Sequence, residues 1–216
     1  MVAQGRAPLE QQLARFESLI PTLRATPAAT EVQLPSGVSL AFARGGNAMF
    51  LELDQLEHLR QADRHTQLER MTAEVPRALR VMEHGVGALE TIPETIEAAR
   101  NDVAQVIQNV VGIEYLLVIR VWELRAPGVT EIHLARPGET LDPGTPSAEF
   151  VGGHLVGDAL LVDVERGAVI GAVPFDVRSS SVVAPQGPHP LLDDLTRNMI
   201  RTLDEGLAPI RNGTVY

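Results

Sequence analysis

The stretch IEYLLVIRVWEL, residues 113–124, decides which fold we expect for this chain. Successive residues of a strand point to opposite faces of a sheet. The first half of this stretch is apolar on both faces, which is typical of a strand that other layers cover on both sides. We therefore predict a sheet centred on residues 113–124.

Further strands are predicted after this one. Residues 150–164 and 168–177 form a predicted hairpin, whose turn Glu165-Arg166-Gly167 ends in a glycine that can adopt positive φ. Pro174 has no N–H and cannot donate a hydrogen bond to a neighbouring strand. The second strand of the hairpin is therefore predicted to be an edge strand or to carry a bulge at Pro174.

Two helices are predicted to cover the sheet. Residues 93–111 carry apolar residues at helical spacing and end before Gly112, a typical helix stop. Pro190 opens a final amphipathic helix over residues 190–206. The predicted fold class is α+β, with a mostly antiparallel sheet covered by these helices.

The N-terminal region, residues 1–91, is predicted to be mainly helical. A helix over residues 8–23 is followed by a short hairpin with strands 31–34 and 38–43, and helical spacing begins again at Phe50. We expect this region and the sheet region, residues 92–216, to form one compact unit.

An apolar stripe runs through the second half of the N-terminal region. Apolar residues recur at steps of three and four from Leu68 to Leu89, with an interruption at Pro76. The stripe packs on the protein's own sheet or, alternatively, forms the seam of a helix-mediated dimeric scaffold.

The composition excludes several kinds of chemistry. The 216 residues include no cysteine, so disulfides, thiolate nucleophiles and thiolate metal sites are absent. All 18 basic residues are arginine, which excludes Schiff-base chemistry and the phosphate-loop lysine. The formal net charge of −10 opposes binding to nucleic acid and to anionic lipid.

The sequence also bears on location. No apolar run approaches the roughly 20 residues of a membrane-spanning helix, and residues 1–15 lack the apolar core of a secretory signal. We expect no membrane insertion by this chain and a cytoplasmic location. A mature domain exported to the cell envelope is the alternative.

Two histidines and an aspartate are candidates for a metal or acid–base site. His133 and His154 lie in or beside predicted strands, and Asp158 follows His154 by four residues. If the strands are neighbours, these side chains could converge in a metal-assisted or acid–base hydrolase. The glycines at 152, 153 and 157 favour the other interpretation, a bulged structural strand, and we expect no metal and no cofactor.

Other polar groups lack the context that catalysis needs. His58 and His65 are seven residues apart, whereas two zinc ligands on one helix prefer a spacing of four. The run Ser179-Ser180-Ser181 lacks the Gly-x-Ser-x-Gly motif of α/β-hydrolases. We interpret these groups as a solvated polar face and as loop serines that bond to the backbone.

A recognition surface is the main functional candidate. Arg120 and Trp122 share one face of the central strand, and an exposed arginine beside a tryptophan is typical of partner-binding sites. The alternative is a packed Trp122 with Arg120 reaching solvent. Pro174 marks a sheet edge, and the Pro- and Gly-rich loop 136–147 would complete the surface.

The strand YLLVIRV, residues 115–121, and the segment FVGGHLVGDALLVDVERGAVIG, residues 150–171, together resemble small α/β domains of bacterial envelope lipoproteins. The resemblance covers about residues 93–207. It implies a non-catalytic assembly or binding role in the envelope, although this chain has no lipid-bearing cysteine. We therefore expect a non-catalytic binding or assembly module of a bacterial protein, which acts through a protein partner or through self-association.

Overall fold

A computed structural model describes residues 2–42, 45–59, 105, 107–129, 150–180 and 190–212 of the chain. It has an α+β fold with a helical N-terminal region and a mostly antiparallel four-stranded sheet, which confirms the predicted fold class. The elements in chain order are α1 (Val2–Ser18), α2 (Ile20–Ala25), β1 (Ala48–Glu52), α3 (Leu53–Glu57), β2 (Tyr115–Arg125), β3 (Gly128–Val129), β4 (Phe150–Val151), β5 (His154–Asp163), β6 (Ala168–Arg178) and α4 (Pro190–Leu207).

The predicted central strand is β2. The order of the four-stranded sheet is β1-β2-β5-β6, so β2 has a neighbour on each side, while β3 and β4 form a separate antiparallel pair. Residues Leu116 to Arg120 of β2 are buried without interruption. This agrees with the apolar pattern of residues 113–124, which predicted cover on both faces.

Strand β1 is not among the elements that the sequence predicts. Residues 48–52 pair in parallel with β2, from Ala48 opposite Tyr115 to Glu52 opposite Ile119. The predicted helical spacing from Phe50 is therefore wrong for residues 50–52, and α3 begins only at Leu53. A strand of five residues that is almost wholly buried has too little alternation to be distinguished from a helix turn.

The second predicted hairpin is present as β5 and β6. Gly167 in its turn has φ of +64°, as the turn sequence requires. β6 is the last strand of the sheet, and its outer edge at Ala172 exchanges two backbone hydrogen bonds with Gln33. Pro174 lies two residues further along, so its missing N–H falls on this outer edge and removes no bond to β5.

The predicted N-terminal hairpin is wrong. Gln33 bridges to Ala172 and Leu40 bridges to Arg211, so the two predicted strands pair with distant parts of the chain and not with each other. A turn is nevertheless present between them, with Gly37 at φ of +76°. The turn depends on local residues and can be predicted from the sequence, whereas the segment with which each predicted strand pairs cannot.

The helices predicted over residues 8–23, 93–111 and 190–206 are present where the structure describes them. The helix over residues 8–23 is divided into α1 and α2, with Pro21 in the first turn of α2, where a proline is well tolerated. Residues 107–111 are helical, and Gly112 donates the closing hydrogen bond to Gln108 O at 2.9 Å. Helix α4 begins at Pro190, as predicted. No helix among the described residues is long and apolar enough to cross a membrane.

The chain divides into two compact units. The first comprises Met1–Arg120, Asp158–Pro174 and Asp204–Tyr216, and the second comprises Val121–Gly157 and Phe175–Leu203. The predicted boundary near Thr91 and the apolar stripe from Leu68 to Leu89 lie outside the described residues. Both therefore stay predictions.

The core of the first unit lies between α1 and the sheet. Leu9, Leu13 and Phe16 recur on one face of α1 and are wholly buried. They belong to one apolar cluster with residues from β1, β2, β5 and the helical residues 107–111, including Leu51, Ile107, Val110, Leu116, Val118 and Leu160. Gln12 lies among these residues, and its Nε2 donates to Ile113 O at 2.7 Å, which satisfies the buried amide.

An ion pair joins α2 to α3. Arg24 Nε donates to Glu57 Oε1 at 2.7 Å, and this hydrogen bond holds the pKa of Glu57 below its ordinary value, because the guanidinium favours the carboxylate form. The arginine side chain is 64% exposed, so the pair contributes little to stability in water.

The close approach of residues 33–35 to β6 can be tested at Gly171. A Cβ on Gly171 would lie 2.7 Å from Gln33 O and 3.1 Å from Pro35 Cδ, whereas a Cβ on Gly128 would meet nothing within 4 Å. We expect Gly171→Ala to lower the free energy of unfolding by about 1–3 kcal/mol because the backbone must shift. Gly128→Ala should change it by less than about 0.5 kcal/mol. Urea unfolding of both variants measures the difference, and equal stabilities would contradict this packing.

Candidate functional site

Arg120 is a buried arginine of β2 whose guanidinium is fully hydrogen-bonded. Its side chain is 2% exposed, and that of Asp158 on the neighbouring strand β5 is wholly buried. Arg120 Nε donates to Asp158 Oδ1 at 2.8 Å and Nη2 donates to Asp158 Oδ2 at 2.6 Å. This two-bond geometry is the strongest form of an arginine–carboxylate pair.

The other three N–H groups of Arg120 reach the end of α2. Nη1 donates to Leu23 O at 2.7 Å and to Thr26 O at 2.6 Å, and Nη2 donates to Pro27 O at 2.9 Å. An arginine has five N–H donors, so every one of them is bonded. We call Arg120, Asp158 and these three carbonyl groups the Arg120 clamp.

The local sequence prepares the carbonyl groups of the clamp. The last carbonyl groups of any helix lack partners within the helix, and Leu23 lies in the last turn of α2. Pro27 disfavours helical geometry at the preceding residue, and Thr26 is extended, with φ of −70° and ψ of 125°. The chain therefore leaves the helix in a conformation that points successive carbonyl groups at one guanidinium.

The clamp bears on two sequence predictions. Arg120 was a candidate partner-binding residue, but the structure buries it, so its guanidinium is not on an exposed surface. The alternative, an arginine that reaches solvent, is wrong for the same reason. Asp158 was a candidate acid–base or metal residue, but both of its oxygens accept from Arg120, and Oδ2 also accepts from the N–H of Ala29 at 2.8 Å. It has a structural role here.

His154 has different partners, all in the second unit. Its Nε2 lies 2.6 Å from Asp176 Oδ1 on β6, and its Nδ1 lies 3.6 Å from Glu123 Oε1 on β2. The imidazole is 13% exposed, whereas the two carboxylates are 66% and 62% exposed. The histidine is thus held between carboxylates of the two strands that flank β5.

The described residues do not assemble the predicted hydrolase site. His154 and Asp158 bond to separate partners, and His133 lies outside the described residues. Within the described ranges no group of three or more His, Cys, Asp or Glu side chains could hold a metal ion. His58 bonds to Asp54 within α3, at 2.8 Å from its backbone oxygen, and the predicted neighbour His65 is likewise not described.

The loop serines bond as structural residues. Ser180 Oγ donates to Asp194 Oδ1 at 2.8 Å, and the N–H of Ser180 donates to Asp194 Oδ2 at 2.7 Å. Ser179 Oγ accepts from the N–H of Gly153 at 2.9 Å. The Ser179 contact matches the interpretation of a loop serine that satisfies the backbone, whereas the Ser180 hydroxyl bonds to the side chain of Asp194, a partner that the sequence does not indicate. Ser181 lies outside the described residues.

A polar pocket of about 510 Å³ lies in the first unit, between α1 and the ends of β2 and β5. Its lining is mostly polar and includes Gln12, Arg15, Glu114, Tyr115, Asp163 and Glu165. Asp163 accepts from the N–H of Arg166 at 2.9 Å, so it is committed to the β5–β6 turn. The pocket does not bring a nucleophile together with a base.

The second half of β2 is exposed on both faces. All residues from Val121 to Arg125 are exposed, in contrast to the five buried residues before them. Val121 is 41% exposed, Trp122 52% and Leu124 56%. We call Val121–Arg125 the exposed β2 segment. Three large apolar side chains in five exposed residues are typical of an interaction site.

One edge of the exposed β2 segment also has no described neighbour strand. The register of β1 with β2 ends at the Glu52–Ile119 pair, so β1 does not extend alongside residues 121–125. Within the part of the chain that the structure describes, no other strand pairs with this edge of β2. An edge of this kind can accept another strand.

Of the predicted recognition residues, Trp122 is exposed and Arg120 is buried. Pro174 is partly buried on β6, the edge strand. The predicted loop 136–147 lies outside the described residues. That these residues bind a partner stays a prediction, with Trp122 as its strongest member.

No protein-family model and no curated protein matches the chain, and no solved structure matches it either. Inference about function therefore rests on the contacts and exposures of the described residues.

The clamp can be tested by removing its guanidinium. Arg120→Met leaves Asp158 buried without its cation and three carbonyl groups without donors, so we expect a loss of about 3–5 kcal/mol in the free energy of unfolding. Arg120→Lys should recover little of this, because an ammonium group cannot match the five-donor geometry. Arg166 is the matched control, since its side chain is 78% exposed, and Arg166→Met should cost less than about 0.5 kcal/mol. Similar losses at the two positions would show that the clamp is not structurally important.

Proposed function

We propose that this protein is a non-catalytic binding module that recognises another protein chain through the exposed β2 segment. One observation carries the proposal. The same strand changes from five buried residues to five exposed residues between Arg120 and Val121, and the exposed residues include Val121, Trp122 and Leu124. A soluble protein rarely exposes such side chains together unless a partner covers them.

The residue types in the segment support protein recognition. Tryptophan is enriched among the residues that dominate binding energy, because it buries a large rigid surface. Trp122 and Leu124 lie two residues apart on a strand, so they point to the same face. Together they form an apolar contact area on that face, while the charged Glu123 and Arg125 point to the other face.

The backbone of the segment supports a particular mode of binding. An extended peptide can add to an exposed sheet edge by main-chain hydrogen bonds, while its alternate side chains set specificity. The edge of β2 beyond Ile119 is not covered by β1. Val121 to Arg125 form the second half of the regular strand β2.

The resemblance of residues 93–207 to envelope lipoprotein domains also favours an assembly role over catalysis. The engagement of Asp158 by Arg120 and Ala29 counts against the rival hydrolase, because that hypothesis needs Asp158 to be available to a metal or a substrate.

Site-specific photo-crosslinking tests the proposal. A benzoylphenylalanine at position 124 should form adducts with another protein chain in cells, and Trp122→Ala in the same chain should reduce the adduct at least about tenfold, as loss of a hot-spot residue does. The control is benzoylphenylalanine at position 32, because Val32 is also an exposed apolar residue, at 51% exposure.

Two results would overturn the proposal. One is an adduct yield at position 124 no higher than the yield at position 32. The other is a yield at position 124 that does not depend on Trp122.

A further inference from the structure

The charges of the exposed β2 segment are self-complementary when two copies of it run antiparallel. Along Val121-Trp122-Glu123-Leu124-Arg125-Ala126, Trp122 and Leu124 point to one face, while Glu123 and Arg125 point to the other. The two charged residues have opposite signs and stand one on each side of Leu124. A second copy of the segment, running antiparallel, can therefore place each charge opposite its complement.

Each register about a twofold axis places one residue of the segment opposite itself. With Arg125 opposite itself two arginines meet directly, and with Val121 opposite itself Glu123 would lie opposite Ile119, where β1 already occupies the edge. With Leu124 opposite Leu124, each Glu123 lies opposite an Arg125 of the other copy, and this happens twice. With Glu123 opposite itself, two like charges meet directly, which is unfavourable. With Trp122 opposite itself, Glu123 lies opposite Val121 and has no cation. Only the Leu124-centred register satisfies every charged residue in the segment.

We propose that a second copy of this chain binds to the exposed β2 segment by antiparallel strand addition, with Leu124 on the twofold axis. The inference rests on the proposed function and names its partner. The interface is isologous, so the same patch serves both copies. Trp122 of one copy then lies opposite Ala126 of the other, where a small residue leaves room for the indole ring.

The residues at the two ends of the segment limit how many residues a second copy can pair with. On one side β1 occupies the edge of β2 up to Ile119. On the other side Pro127 follows Ala126, and a proline cannot donate the next ladder hydrogen bond. Among the described strands, the edge that no neighbour covers is thus limited to residues 121–126.

The overall charge sets the conditions for dimerisation. The net charge of −10 repels two copies at long range. Physiological salt screens charges beyond about 8 Å, whereas the Glu123–Arg125 pairs act at contact distance. The dimer is therefore expected at physiological salt and elevated protein concentration, and it should weaken at low salt.

Cysteine trapping tests the register, because the chain contains no cysteine of its own. In the proposed dimer the two Cβ atoms at position 124 are about 5 Å apart, close to disulfide geometry. The two copies of position 126 are displaced by four residues, about 13 Å along the strand. Leu124→Cys oxidised with diamide should therefore yield at least about ten times more disulfide dimer than Ala126→Cys.

The control is matched, since positions 124 and 126 lie on the same face by alternation and are both exposed, and Ala126→Cys leaves Trp122 and Leu124 in place. Random collision would link the two variants equally. Equal yields, or a higher yield for Ala126→Cys, would overturn the proposed register.

Charge reversal tests the ion pairs by sedimentation at several protein concentrations. Arg125→Glu should weaken the dimer at least about tenfold because Glu then faces Glu twice, and Glu123→Arg should do the same with arginines. The double variant Glu123→Arg/Arg125→Glu should restore the dimer. Arg125→Glu is the cleaner single variant, since Glu123 also lies near His154. Circular dichroism confirms that each variant is folded.

Two sedimentation results would overturn the inference. One is a wild-type chain of monomer mass at every concentration. The other is a dimer whose stability is unchanged by both Arg125→Glu and Glu123→Arg. Neither result alone removes the proposed function. That proposal fails separately, when crosslinking at position 124 does not exceed crosslinking at position 32 or does not depend on Trp122.

Discussion

The buried pair of Arg120 and Asp158 is the interaction on which the rest of the first unit depends. A charged group in the interior is tolerated only when its charge and all of its donors are satisfied. The Asp158 carboxylate satisfies two N–H groups of Arg120, and the carbonyl groups of Leu23, Thr26 and Pro27 satisfy the others. The end of α2 must therefore lie against β2 and β5, and the segment after it must be extended.

The clamp also explains where recognition can begin. Up to Arg120 the strand β2 is enclosed by the apolar cluster that contains Leu116 and Val118, and its side chains are committed to packing and bonding. From Val121 onward the same backbone continues without such cover. One strand thus combines a buried half, whose side chains pack and bond inside the first unit, with a half whose side chains are exposed.

The candidate site shows how far sequence reasoning reaches. Arg120 and Trp122 lie two residues apart on a strand, and this spacing correctly places them on one face by alternation. Alternation does not tell which part of a strand is covered, so the sequence grouped a buried residue with an exposed one. In the same way, Asp158 was an attractive acid–base candidate, but the carbonyl groups and the amide that complete its network come from residues 23–29, far away in the chain.

The sequence by itself determined the fold class, the central strand, the β5–β6 turn and the ends of the helices at Gly112 and Pro190. These features depend on local chemistry: apolar alternation, a glycine at positive φ and prolines at helix starts. Only the tertiary structure decided that Gln33 pairs with Ala172, that Leu40 pairs with Arg211, that β1 joins β2 in parallel, and that Arg120 is buried while Trp122 is exposed. Such choices are made between residues far apart in the chain, which compete for the same hydrogen-bonding edges and the same buried volume, and no local pattern encodes the winner.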